Sequence, residues 1–183
     1  FSATMPPEIV HLASTYMASP VRVEVAPAGT AAELVDQEIF LVRKELKFNL
    51  LEELLNECHG TVLIFSRTKH GARKICDAIR SIGHKVAEIH SNRSLGQRKE
   101  ALTGFKSGRY RILVTTDIAA RGIDVQGIEL VINYDLPDNS HDYVHRIGRT
   151  GRAGVIGRAV SFATPDQQRD VRDIERIIRK QIP

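Results

Sequence analysis

The sequence predicts one α/β domain built on a doubly wound parallel sheet with helices on both faces. Two observations predict it. Short apolar, β-branched runs alternate with segments whose apolar residues recur every three or four positions. Strict strand–helix alternation of this kind belongs to parallel sheets. The chain has 183 residues, 42% hydrophobic and 26% charged, enough for one full core plus a short extension and too apolar for a disordered segment.

Each element carries a local signal. Pro6-Pro7-Glu8 opens a helix with Ile9, Leu12, Ala13 and Tyr16 on one side, and Val21–Val25 reads as a strand. Ala26-Pro27-Ala28-Gly29-Thr30-Ala31-Ala32 has no period and reads as a linker. Residues 1–19 are therefore expected to finish a preceding domain, 20–34 to connect, and 35–183 to form the main one. Its strands are expected at Glu38–Val42, Val62–Phe65, Val86–His90, Ile112–Thr115, Leu130–Tyr134 and Ala159–Ala163. Between them, one helix uses Leu51, Leu54 and Leu55. Another uses Ala72, Ile75, Cys76, Ile79 and Ile82 and stops at Gly83. A third opens with the capping box Ser94/Gln97 and turns Leu102 and Phe105 inward; a further helix carries Tyr143. The last opens at Thr164-Pro165-Asp166-Gln167 and buries Val171, Ile174 and Ile178.

Composition narrows the function. No apolar run approaches the roughly 18 residues of a membrane span, and the first residues have no basic start followed by an apolar stretch. Cys58 and Cys76 lie in helical patterns without CxxC spacing, which reads as buried thiols in a reducing, cytoplasmic compartment. A net charge of +4 leans mildly toward polyanions. Aromatics are 5% with no tryptophan, so phosphate contacts are a better expectation than base stacking. The chain opens on Phe1, which reads as a piece of something longer.

Functional loops in such sheets lie beyond the carboxyl ends of the strands. Thr115-Thr116-Asp117-Ile118-Ala119-Ala120-Arg121-Gly122-Ile123-Asp124 leaves one strand end. The helix of Tyr143 runs into His145-Arg146-Ile147-Gly148-Arg149-Thr150-Gly151-Arg152, with arginines at three-residue intervals and glycines between them. A planar guanidinium grips phosphate oxygens bidentately, and glycine lets backbone and ligand approach.

HRIGRTGR at 145–152 resembles the sixth motif of the DEAD-box RNA helicases, and TTDIAARGID at 115–124 resembles their fifth. LIFSRT at 63–68 sits where the fourth belongs, and Ser2-Ala3-Thr4 matches the third. The order and spacing are the family's, across essentially the whole chain. His145-Arg146 ahead of the GRxGR favours the RNA family over related DNA helicases. The resemblance implies a carboxyl-side RecA-like domain that closes on a preceding RecA-like domain around ATP and Mg2+, the metal being held by that other domain. Arg149 and Arg152 would be catalytic arginine fingers on the γ-phosphate. Gly122 and Asp124 would bind the nucleotide at its ribose. Ser2, Thr4, Arg121, His145 and Arg146 would couple the two domains. Thr68, Asn92, Arg98 and Thr116 would face RNA phosphates. Simpler readings stand beside these: an ion pair with a carboxylate of its own domain for each arginine, Arg146 above all, and plain capping for Thr68 and Thr116. The chain departs from the family at Leu95, where a glutamine belongs, and at Ser91-Asn92, where a glycine follows the histidine.

Nothing in the sequence supplies a GxxxxGK[ST] phosphate loop, an Asp-Glu-Ala-Asp stretch, a GxGxxG or metal-ligand spacing. The expected function is half of an ATP-dependent RNA helicase, with no membrane partner and no ATP turnover by this chain alone. A non-catalytic RNA- or partner-binding module and half of a DNA helicase are the alternatives.

Overall fold

The structure, a computed structural model, describes residues 7–19, 21, 35–120, 123, 125, 127–151 and 156–183. Helix α1 (Pro7–Tyr16) precedes an alternating series: β1 (Val35–Leu41), α2 (Lys47–Glu57), β2 (Val62–Phe65), α3 (Lys69–Ser81) and β3 (Val86–Ile89). There follow α4 (Leu95–Lys106), β4 (Ile112–Thr115), the short α5 (Asp117–Ala120), β5 (Leu130–Asn133), α6 (Ser140–Ile147), β6 (Gly157–Ala163) and α7 (Gln168–Ile178). The strands form one sheet in the order β1-β6-β5-β2-β4-β3. Every pairing is parallel. This is the predicted doubly wound sheet. The chain winds from β2 toward β3 and β4 on one side, then resumes at β5 on the other, so the switch point lies around the carboxyl end of β2.

Helices cover both faces. Leu51, Leu54 and Leu55 of α2 and Ala72, Ile75, Cys76 and Ile79 of α3 pack on Val62, Ile64, Ile112, Val114, Leu130 and Ile132. Phe105 of α4, Tyr143 and Ile147 of α6 and Ile174 and Ile178 of α7 pack on Leu63, Phe65, Leu113 and Val131 of the opposite face. β2 is buried along its whole length because helices press on it from both sides. The α3 stripe ends as its sequence predicts: Ile82 caps the helix and Gly83 takes φ +92°, a conformation that penalises a side chain.

Three element starts differ from the sequence expectation. β1 begins at Val35, three residues early, because Gln37 turns inward and accepts a hydrogen bond from the buried Tyr143 hydroxyl (3.1 Å). A buried polar residue breaks the alternation from which a strand is read. β6 likewise starts at Gly157, whose register with Val35 extends the ladder. The Thr164/Gln167 capping box is present but opens a turn of 3₁₀ helix over Pro165–Gln167 before α7 begins. Of the expected strand at 21–25, only Val21 is described, and it lies in no regular element. Ile9, Val10, Leu12 and Tyr16 of α1 are all exposed.

Both cysteines are free and buried. Burial, with nearby Glu129, pushes the Cys58 thiol up. Burial, with Glu88 adding to it, pushes Cys76 up to about 11.

Candidate functional site

Asn139 caps α6, its side-chain oxygen accepting from His141 N–H at 2.9 Å. The helix turns Tyr143, Val144 and Ile147 into the core. Arg146, three residues after Tyr143, falls on the same inward side and is 1% exposed. Its Nε and Nη2 donate to the two carboxylate oxygens of Asp117 at 2.6 and 2.7 Å, a bidentate fork. Its Nη1 donates to Asn133 Oδ1 (3.2 Å) and to the main-chain oxygen of Asp135 (2.6 Å). The guanidinium also lies 5.0 Å from the Phe65 ring centroid. One side chain thus ties together the carboxyl ends of β2, β4 and β5.

A second buried cation stands beside it. Lys47 lies on the apolar stripe of α2, four residues before Leu51, and is 4% exposed. Its Nζ donates to Tyr134 O (2.8 Å) and pairs with Asp135 Oδ1 (3.2 Å). The other Asp135 oxygen accepts from Ser66 Oγ (3.3 Å) and Arg67 N–H (3.1 Å). Burial, reinforced by the Asp135 charge, holds the Tyr134 hydroxyl above its usual range. The loops after β2 and β5 are therefore fixed to each other and to α2.

Arg149 follows the end of α6 and is half-buried. Its Nη1 donates to Ile123 O (2.9 Å) and its Nε to His145 O (3.2 Å), so the plane of its fork is set by main-chain groups. The Ile123 contact joins the 115–124 and 145–152 stretches directly. Thr150, next in line, is buried and donates to Ile128 O (2.5 Å). A Cβ at Gly157 would collide with Thr150 and the main chain of Gly151, so the turn seats on β6 only because Gly157 has no side chain.

The residues expected to face RNA lie along the same sheet edge. Thr68 follows β2, Thr116 follows β4 and Asn92 follows β3, three strands that are neighbours in that order. At about 4.8 Å per strand they share a front of roughly 10 Å. Thr68 is exposed and caps α3, its Oγ1 accepting from Gly71 N–H at 2.9 Å, which still leaves the hydroxyl proton to donate. Thr116 is half-buried, and its carbonyl accepts from Ala119 and Ala120 at the start of α5. Asn92 is exposed; Arg98, closing the first turn of α4, is half-buried and its main-chain N–H donates to Ser94 O at 2.9 Å. His145 is half-buried in the last turn of α6.

Arg146 is turned inward and takes the simpler of the two expected roles, an ion pair within its own domain. Arg152, Gly122, Asp124, Arg121, Ser2 and Thr4 lie outside the described residues. The sequence reading passed over Asp117, Asn133, Asp135 and Lys47, which build the site's frame. A signal existed for two of them. Asp117 stands two residues past a strand end, and Lys47 continues the 51-54-55 stripe backward by one turn.

No helix among the described residues is long and apolar enough to cross a membrane. No three His, Cys, Asp or Glu residues among them group to hold a metal ion.

The helicase conserved C-terminal domain matches residues 46–154. The chain belongs to the DEAD-box RNA helicases, as their carboxyl-side RecA-like domain. It is 44% identical to the ATP-dependent RNA helicase DbpA of Bacillus subtilis, over 97% of this chain and 37% of that protein. A DEAD box protein from the hyperthermophile Methanococcus jannaschii superposes over all of this chain and 49% of its own, with TM-score 0.79 and 38% identity. Saccharomyces cerevisiae Dbp5 bound to RNA and ADP BeF3 superposes over 97% of this chain and 48% of its own, with TM-score 0.88 and 29% identity. The chain thus spans between a third and a half of these proteins' lengths.

Proposed function

We propose that this chain is the carboxyl-side motor domain of an ATP-dependent RNA helicase. It supplies Arg149 and Arg152 as arginine fingers to a nucleotide site shared with a preceding RecA-like domain, and it forms half of a phosphate-tracking RNA cleft. The observation that carries the reading is the Arg149–Ile123 contact. It brings a guanidinium fork to Ile123, within the 115–124 stretch, at the carboxyl edge where such sheets bind ligands. A fork held by two main-chain carbonyls suits the oxygens of a phosphate. ATP supplies the transferable phosphoryl group and Mg2+, held by the preceding domain, offsets its charge. The chain's own residues orient the fingers and carry positive charge to the developing phosphate oxygens. Arg146 acts on coupling through the residues it ties together, Asp117, Asn133 and Asp135, and α1 with Ser2 and Thr4 belongs to the preceding domain. Dbp5 has been captured with RNA and a nucleotide analogue in this fold, which supports both halves of the reading.

The purified chain is expected to show no ATP turnover, since the sequence holds neither a phosphate-loop lysine nor an acidic metal motif. Joined to a domain that carries both, it should give RNA-stimulated hydrolysis. Turnover by the chain alone at ordinary enzyme rates would sink the proposal.

The RNA face makes a second expectation. Of the four residues proposed to face RNA, Thr68, Asn92, Arg98 and Thr116, Arg98 is the charged one. If about two or three phosphates are neutralised, log K for single-stranded RNA should fall with log salt at a slope near −2. Arg98→Ala should make that slope shallower by a little under one and weaken all sequences about equally, because phosphate contacts carry no base information. Unchanged affinity and slope would point to a face that lost its grip with Leu95.

A further inference from the structure

Glu88 and His90 are buried polar residues that the site above leaves unused. They are 6% and 3% exposed, alternate with Ala87 and Ile89, and so share with Val86 the sheet face that packs on α3. A carboxylate and an imidazole at that depth are unfavourable unless partnered. Their partners come from the turn that joins β3 to α4. Arg93 pairs with Glu88 Oε1. His90 Nε2 lies 3.1 Å from Glu88 Oε2, and the Asn92 main-chain N–H donates to His90 Nδ1 at 3.2 Å. An N–H can only donate, so Nδ1 carries no proton and Nε2 directs its own to Glu88. Arg93 N–H returns to His90 O at 3.0 Å. Ser94 follows at once as the cap of α4, in reciprocal bonds with Gln97 of 3.0 and 3.3 Å. Cys76 of α3 lies near Glu88, with Asp77 and Arg80 around it, Arg80 donating to Cys76 Sγ at 3.3 Å.

The geometry points to Glu88 and His90 as positioning residues for RNA: the buried pair clamps the 90–93 turn onto β3 and so holds Asn92 and Arg98 in place to meet phosphates. The inference rests on the RNA reading above. A clamped turn loses little freedom when a strand binds, whereas a loose one must be ordered each time.

The test is the affinity of the whole chain for a fluorescein-labelled oligouridine, read by anisotropy, in wild type and Glu88→Gln. The substitution is nearly isosteric and raises the net charge by one. Electrostatics alone therefore predicts tighter binding. Loss of the clamp predicts weaker binding, by about tenfold for one hydrogen-bonded charge. An affinity that stays the same or tightens overturns the inference. Two measurements on the wild type guard against a variant that does not fold. The His90 ring should show the Nε2–H tautomer by nitrogen NMR, and the Asn92 amide should exchange slowly with solvent. If wild type fails to bind oligouridine, the RNA reading falls and this inference with it. Binding with a fast-exchanging Asn92 amide sinks the inference alone.

Discussion

Arg146→Met is expected to destabilise the domain by about 3 kcal/mol, the lower end for breaking one side of a buried ion pair. The lower end applies because Asp117 keeps 27% of its side-chain surface and can take up water once its partner is gone. The melting temperature should fall by roughly 6–12 °C. Arg146→Lys should recover only part of this, since one ammonium cannot serve the two Asp117 oxygens, Asn133 and the Asp135 carbonyl together. In the double variant Arg146→Met/Asp117→Leu the losses should be well short of additive, because the second change removes the stranded carboxylate. Thermal melts followed by circular dichroism on the wild type, Arg146→Met, Arg146→Lys, Asp117→Leu and the double variant measure these losses. A loss under about 1 kcal/mol for Arg146→Met would show the tie to be incidental.

Three residues on, the expected signature reverses. In the complete two-domain enzyme, Arg149→Ala should lower RNA-stimulated turnover by roughly 10³-fold or more. The fold should survive within about 1 kcal/mol, since this side chain is half-buried at a turn and outside the hydrophobic core. A finger acts on charge that develops during transfer, so the loss should appear mainly in kcat. Steady-state kinetics and a melt on the same preparation separate the cases. An Arg149 variant that melts early, losing turnover in proportion, would make this arginine structural too.

The contrast marks how far the sequence could be read. Strand–helix alternation gave the layers, and the 51-54-55 and 72-75-76-79 stripes gave the buried faces, because burial imposes the period that a sequence displays. What a period cannot display is a charged residue turned inward. Arg146 and Arg149 look alike in HRIGRTGR, but the helical phase of α6 puts Arg146 in the core beside Tyr143, while Arg149 comes after the helix has ended and is half-buried. Lys47 and Asp135 are 88 residues apart, and no local signal pairs them. Glu88 and His90 hid for the opposite reason, as they occupy the positions where a buried strand would normally be apolar. Thr68 was legible both ways: a residue that caps a helix after a strand end also offers its hydroxyl to whatever lies beyond.

The pairing of β1 with β6 sets a timetable for synthesis. Val35 meets Gly157 and Leu41 meets Ala163, and among the described residues β1 pairs with no other strand. At roughly 5–20 residues per second, β1 leaves the ribosome on the order of ten seconds before its partner exists. Strands β2, β3, β4 and β5 can assemble in that interval, yet β1 must wait without its ladder partner. Bare strands invite pairing with other chains, and charges blunt that hazard. β1 is furnished for the wait, with Asp36 and Glu38 inside it and Arg43 and Lys44 just beyond. Glu38 joins Arg158 across the completed ladder at 3.2 Å, so a charge that guards the strand early is reused to fasten it once β6 arrives.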